Sequence, residues 1–330
     1  MKVLFIGGTG IISSGCSPLV VEKGMHLTLL NRGETDRKIP EGARVIHGDI
    51  RRSASLPKEI TQETYDAVVN WINFTPDQVQ ADIELFSGRI GQYIFISSAS
   101  AYQTPPSKLP VTESTPLYNP IWKYSQDKIA CEELLLNAYR TNNFPMTIVR
   151  PSHTYDERTL PFTSRYTVIN RMRTGKKVIV HGDGSSLWVL THHRDFAKGF
   201  VGLLGNSHAI GEAFHITTDE LLTWNQIYQI MAEKAGVPEA KFIHIPSEVI
   251  AQYDKDWGDN LLSDKSVSMM FDNTKIKRLV PDFQATTPFS HGAEEVMAWF
   301  DADPARQIVD KRMDELMDHI VADMEKVGPQ

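Results

Sequence analysis

An α/β fold, built on a doubly wound parallel sheet with a smaller, mostly C-terminal second domain, is predicted by three features of this 330-residue chain. Short apolar runs alternate with longer amphipathic segments through the first half. A glycine-rich turn follows the first of those runs directly. The composition then shifts near Arg150–Pro151, beyond which loops lengthen and polar-faced helices take over.

The strands are read in order as KVLFI from Lys2, HLTLL from His26, ARVIH from Ala43, AVVNW from Ala67, QYIFI from Gln92 and MTIVR from Met146. Near-continuous apolar runs of this length suit parallel strands buried on both faces. The segments between most of them supply crossover helices for the two faces of the sheet. The first domain is therefore placed at residues 1–150 and the second at 151–330. KKVIV from Lys176 reads as a strand that returns to the first sheet, carrying part of 176–200 with it. In the second half, TWNQIYQIMAEKAG reads as a helix and residues 289–326 as a long polar-faced helical run. YDERTLPFTS and YDKDWGDNLLSDKS read as loops.

Composition excludes several functions. At 41% hydrophobic and 23% charged residues the chain is that of an ordinary globular protein. A formal charge of −7 gives no basic footprint for nucleic acid or an anionic membrane, so neither is expected as a partner. Two cysteines, Cys16 and Cys131, make neither a disulfide framework nor a metal cluster, which fits a reducing, cytoplasmic setting. No run approaches the roughly 18 apolar residues of a membrane span. TGKK lacks the flanking residues of a P-loop, and no G-x-S-x-G elbow occurs. His192-His193 lacks the spaced partners of a zinc site, so no metal is expected.

The turn Gly7-Gly8-Thr9-Gly10-Ile11-Ile12 lies between the first strand and a helix. Glycines let the backbone approach a pyrophosphate, and the free N–H groups at the helix start, with its dipole, hold the anion. Strand, turn and helix in this order predict a Rossmann-type dinucleotide site. Ser13 stands where a third glycine is often found, which predicts looser helix–strand packing. At the end of the second strand, Asn31 occupies the place of the acid that usually meets a ribose 2′-hydroxyl, and Arg32 follows. With no acid to repel a phosphate the reading tips toward NADP, with NAD left open. Asp49, just after the third strand, is placed to accept from the adenine amino group, or else to cap a turn.

Tyr124 and Lys128 stand four residues apart on a predicted helix and share a face. A phenol of ordinary pKa near ~10 is too weak a base at neutral pH. A neighbouring ammonium and an oxidised nicotinamide would favour the phenolate and make it a proton acceptor. Roughly 25 residues earlier the strand QYIFI ends in Ser97-Ser98-Ala99-Ser100-Ala101-Tyr102.

With these residues the sequence resembles the extended branch of the short-chain dehydrogenase/reductases, the NAD-dependent epimerase/dehydratase family. GGTGIIS, GDI, FISSASAY, YSQDK, RPSHTY and GDGSSLWVLTHHRDFAKG carry the resemblance over most of the chain. It implies that Tyr124 is the catalytic acid/base and that Lys128 lowers its pKa and holds the nicotinamide ribose. It implies too that Ser98, four positions before Tyr102, donates to the substrate oxygen. Gly7, Gly8, Thr9, Gly10, Ile11, Ile12, Asn31, Arg32 and Asp49 map onto coenzyme contacts. The implied reaction is NAD(P)-dependent oxidation or epimerisation of a sugar-like hydroxyl through a ketone, in a homodimer. The rival implied by the same resemblance is a non-catalytic relative that senses cofactor or binds RNA.

Two departures narrow the substrate. Ala99-Ser100 replace the Asp-Glu pair that removes water in dehydratase members. Trp188 takes the place of an arginine that holds a substrate pyrophosphate, and an indole cannot ion-pair with phosphate. Arg158, Arg165, Arg171 and Arg173 are the alternatives for that task. Ser100, His153, Tyr155, Trp188 and His192 are expected to line the substrate pocket, with a buried structural histidine the other reading of His192.

Overall fold

The computed structural model describes residues 1–52 and 56–327. Six strands appear where the apolar runs predict them: β1 (Lys2–Ile6), β2 (His26–Asn31), β3 (Arg44–His47), β4 (Ala67–Asn70), β5 (Tyr93–Ile96) and β6 (Met146–Pro151). Beyond them come β7 (His153–Tyr155), β8 (Val178–His181), β9 (Leu187–Trp188), β10 (Leu190–His192), β11 (Ala213–Ile216), β12 (Leu222–Thr223) and β13 (Phe242–Ile245). The central sheet has seven strands in the order β11-β6-β5-β4-β1-β2-β3. All its pairings are parallel, β1 serving as the switch point with Val3 opposite both Leu27 and Ala67. β1, β4 and β5 are buried almost throughout, as a two-sided parallel sheet requires.

Helices α1 (Ser13–Glu22), α2 (Lys58–Gln62), α3 (Pro76–Phe86) and α4 (Lys123–Asn142) occupy the first half, and α5 (Tyr166–Arg173), α6 (His193–Val201) and α7 (Trp224–Lys234) the second. One apolar core gathers Phe5, Leu29, Val69 and Ile94 with Phe196 and Phe200 of α6. A second gathers Leu4, Val68 and Phe95 with Phe86 of α3 and Leu135 of α4. A third fills the C-terminal half around Trp224, Tyr228 and Phe300.

Two expectations are corrected. The strand beginning near Lys176 does not rejoin the first sheet: β8 pairs with β13 in a two-stranded sheet of its own. The elements that do return are α6, packed on α1, and β11, paired with β6. A β-rich run reports that a strand forms, but its partner is set by tertiary packing. The helical run from 289 to 326 is two helices, Phe289–Asp301 and Lys311–Val327, parted by a turn at Pro304, which cannot continue a helix. Among the described residues no helix is long and apolar enough to cross a membrane.

Candidate active site

The turn after β1 needs glycine because its backbone turns left-handed. Gly7 and Gly8 have φ of +95° and +90°, where side chains are strained, and a Cβ on Gly8 would lie 2.7 Å from Leu29. Ser13, expected to loosen the packing, braces the turn instead: its buried hydroxyl accepts from the Gly10 N–H at 2.8 Å. Close helix approach has moved two residues on, to Gly15, whose Cβ would sit 2.5 Å from the His193 carbonyl of α6.

Two cavities flank the turn. One of about 440 Å³ is bordered by Gly7, Thr9, Asn31, Arg32 and Asp49. The other, of about 600 Å³, is bordered by Gly10, Ile11 and Ile12 on one side and by Ser98, Ser100, Tyr124, Lys128, His153 and Trp188 on the other. Phe74, in the loop after β4, touches both.

β5 delivers Ser98 and the first turn of α4 delivers Tyr124. Both side chains border the same cavity, and Ser98 stands near enough to the Tyr124 phenol to pull its pKa down. Ser98 Oγ is 2.8 Å from Ser100 Oγ, which in turn accepts from Ser125 Oγ at 2.8 Å. Ser97 points the other way, onto buried Glu132. Lys128 is buried, and its Nζ donates to the carbonyls of Asn73 and Ile96, each at 2.7 Å. Nζ also lies 5.7 Å over the Tyr124 ring and 4.7 Å over Phe74.

The electrostatics differ from the expectation that the ammonium lowers the phenol. Burial raises the Tyr124 pKa above its ordinary value; the Ser98 hydroxyl pulls it back and the Asp264 carboxylate pushes it up. Burial lowers Lys128 to about 8. The ammonium is spent on two carbonyls rather than on the phenol oxygen. His153 is driven down to about 3 by burial and by Lys265, so it is neutral, and its Nδ1 accepts from Trp188 Nε1 at 3.4 Å.

Residues 3–217 match the NAD dependent epimerase/dehydratase family. The chain belongs to that family. It is 25% identical over 256 residues, 74% of this chain and 65% of the relative, to the chloroplast stem-loop binding protein of 41 kDa b of Arabidopsis thaliana. A UDP-glucose 4-epimerase of Lactobacillus helveticus is 28% identical over 168 residues, 46% of this chain and 51% of the relative. The chain thus spans between half and two thirds of the length of these two relatives. Among solved structures, an epimerase from Methanothermobacter thermautotrophicus shares the fold with a TM-score of 0.75 at 19% identity, over 93% of this chain and 94% of that one. So does the UDP-glucuronic acid 4-epimerase from Bacillus cereus, solved with UDP-glucuronic acid and NAD, with a TM-score of 0.73 at 19% identity over 92% and 99%.

The coenzyme of the epimerase/dehydratase family fits the surroundings of the turn. Asn31 is buried, and its Nδ2 is a donor without a partner beside the smaller cavity, where a ribose hydroxyl would satisfy it. Asp49 borders the same space while its Oδ1 accepts from the Arg51 N–H in a turn.

Two expected pocket residues are corrected. Tyr155 and His192 are register partners at the end of the β7–β10 ladder and pack together at 5.3 Å, away from the cavity. Tyr155 is wholly buried against Phe289. His192 caps α6 by accepting from the Arg194 N–H, and its other nitrogen lies 3.2 Å from Glu295. The arginines offered as phosphate binders are not among the residues bordering the cavity. Arg158 pairs with Asp36, Arg171 with Asp314 and Arg173 with Asp301, while exposed Arg165 begins α5. The sequence reading missed Trp71, Phe74, Trp122, Asp264 and Lys265, all of which border the larger cavity. Only Trp122 had a signal, standing two residues before Tyr124.

Proposed function

We propose that this chain oxidises a hydroxyl of a sugar-like substrate to a ketone, which either leaves or is reduced on its other face. The observation that carries the reading is the grouping of Ser98, Tyr124 and Lys128 on the wall of a cavity of about 600 Å³ that also meets the glycine turn. Gly7, Gly8, Thr9, Gly10, Ile11, Ile12, Asn31, Asp49 and Lys128 would hold the coenzyme, which supplies the hydride acceptor.

The chain's own residues manage the proton. Tyr124 takes it from the substrate hydroxyl during oxidation and returns it during reduction. Ser98, beside the phenol, turns its single O–H to the substrate oxygen as charge develops there. Lys128, fixed by two carbonyls 5.7 Å over the Tyr124 ring, is placed to hold the ribose of the coenzyme beside the phenol. NAD is proposed over NADP. Arg32, the residue read as a 2′-phosphate partner, is paired with Glu34 at 2.8 Å, and Arg37 is taken by buried Asp156.

Tyr124→Phe is expected to cut turnover about 10²–10⁴-fold with NAD affinity unchanged, by steady-state kinetics and calorimetry. Full turnover in that variant overturns the mechanism. Stoichiometric NADH accumulation identifies a dehydrogenase, and inversion without net reduction an epimerase. The name of the Arabidopsis relative, a stem-loop binding protein, supports a second reading, nucleic-acid binding. The net charge of −7 supports the enzyme instead, and salt-sensitive RNA binding without redox chemistry would reverse that choice.

A further inference from the structure

Resting on that reading, we propose that Asp264 and Lys265 form a hydroxyl clamp in the larger cavity. The clamp makes the preferred substrate an unphosphorylated polyhydroxy ring rather than a sugar carried on a nucleotide diphosphate.

Both residues belong to Leu261–Lys265, a π-helical turn that follows the helix Lys255–Asn260. Such turns are rare, re-aim the side chains they carry and recur at functional sites. This one is anchored from several directions. Asn119 Nδ2 donates both to the Ser263 carbonyl at 3.1 Å and to the Ser100 carbonyl at 3.0 Å, tying the turn to the Ser98 segment. His181 Nε2 and Ser186 Oγ reach the Lys265 carbonyl at 3.2 and 3.0 Å. Asp264 and Lys265 therefore meet the cavity from a fixed backbone.

Their chemistry suits alcohols. The Asp264 carboxylate is mostly buried, and its cationic partner, Lys265 Nζ, stands 3.5 Å away and also bonds Asn260 Oδ1 at 2.9 Å. Burial raises the Asp264 pKa and Lys265 opposes that rise; in its ionised form the carboxylate only accepts hydrogen bonds, so its remaining lone pairs on the cavity call for O–H donors. It borders the same cavity as Tyr124, the proton-transfer group. Neutral His153, with Nδ1 engaged by Trp188, keeps an N–H to offer. Aromatic side chains of Trp71, Phe74, Trp122 and Trp188 supply flat apolar walls for a ring's C–H face.

A diphosphate is poorly served there. Among the described bordering residues the cations are Lys128 and Lys265, the first bonded to two carbonyls and the second to Asn260 and Asp264. The adjoining recess, which shares Trp122, His153 and Lys265, adds Asp254 and Asp256, while its Arg312 is paired with Asp254 at 2.9 Å.

The test is a binding measurement on the full chain with NAD present, followed by tryptophan fluorescence. Wild type and Asp264→Asn are titrated with D-galactose, myo-inositol and UDP-galactose. The clamp predicts that a free ring saturates the signal, that UDP-galactose binds no more tightly, and that Asp264→Asn weakens the free ring about tenfold or more with NAD affinity unchanged. Should that variant not fold, Asp264→Ser takes its place. Tighter binding of UDP-galactose, undiminished ring binding in the variant, or no ring binding at all overturns the clamp. Ring binding without turnover overturns the proposed reaction while leaving the clamp standing, and turnover of UDP-galactose alone does the reverse.

Discussion

The two sides of the larger cavity are built by opposite means. On the nucleotide side the chain presents backbone: positive-φ glycines, the start of α1 and carbonyls that fix Lys128. On the substrate side it presents side chains, Trp188, His153, Asp264 and Lys265, carried by short strands and a π turn. Buried charge follows the same division. In the nucleotide half Glu132 and Arg150 are almost fully buried together, with Tyr102 and His215 continuing the network at 3.1 and 3.0 Å. In the second half the buried Arg171 pairs with partly exposed Asp314 and also reaches Asp318. The buried charge of the nucleotide half is sealed on one carboxylate, whereas in the second half solvent and a second carboxylate can absorb change.

That contrast is broken or upheld first by stability. Glu132→Ala strands the Arg150 guanidinium in the interior and removes the Ser97 contact, so it should cost about 3–5 kcal/mol in chemical denaturation. Asp314→Ala leaves Asp318 and the Lys177 carbonyl to Arg171 and should cost about 1 kcal/mol. Equal losses would dissolve the distinction.

A smaller effect sharpens it through pH. Asp82 of α3 is buried, and burial lifts its pKa to about 6 against the hydrogen bonds of Tyr93, Asn70 and Asn73. Those three donors converge on Oδ2 at 2.6, 2.6 and 2.8 Å, and the Asn73 carbonyl in turn holds Lys128. The folded-state pKa is raised, so the folded protein holds this proton more tightly than the unfolded chain. The contribution is full below the ordinary carboxylate pKa near ~4 and is lost as pH rises toward 6, on the order of 2 kcal/mol. Asp82→Asn can still turn an amide oxygen to the donors and should flatten that dependence in denaturation midpoints between pH 4.5 and 7.5. An unchanged slope would place the titration elsewhere.

The same contrast explains what was legible in the sequence. Strands buried on both faces must be uninterrupted apolar runs, so β1, β2 and β4 to β6 declared themselves, whereas β3 is a mostly exposed edge strand with only Ile46 buried. The glycine turn did so because positive φ restricts residue type, and Tyr124 and Lys128 because helical spacing puts them on one face. The substrate side left no such trace. Asp264 and Lys265 lie in a polar stretch that reads as loop, and π turns have no repeat to detect. Tyr155 and His192 have the residue types of a pocket, but strand pairing carries them under the helix Phe289–Asp301. Trp71 and Phe74 follow a strand end, where pattern gives no direction.

The smallest effect concerns the coenzyme's 2′ position, at the solvent edge of the nucleotide half. Arg32 and Glu34 are both more than half exposed, so their ion pair is worth at most about 1 kcal/mol. Glu34→Gln frees the guanidinium and removes a charge that repels a 2′-phosphate, while Asn31 keeps its place for a 2′-hydroxyl. NADP affinity should therefore rise about two- to fivefold, by no more than that pair is worth, with NAD affinity unchanged, in parallel calorimetric titrations. The gain should shrink as salt is raised, because exposed charges are screened within about 10 Å at 0.1 M. A change in NAD affinity of the same size would mean that Glu34 shapes the ribose site itself, and the solvent edge would then be as intolerant as the glycine turn behind it.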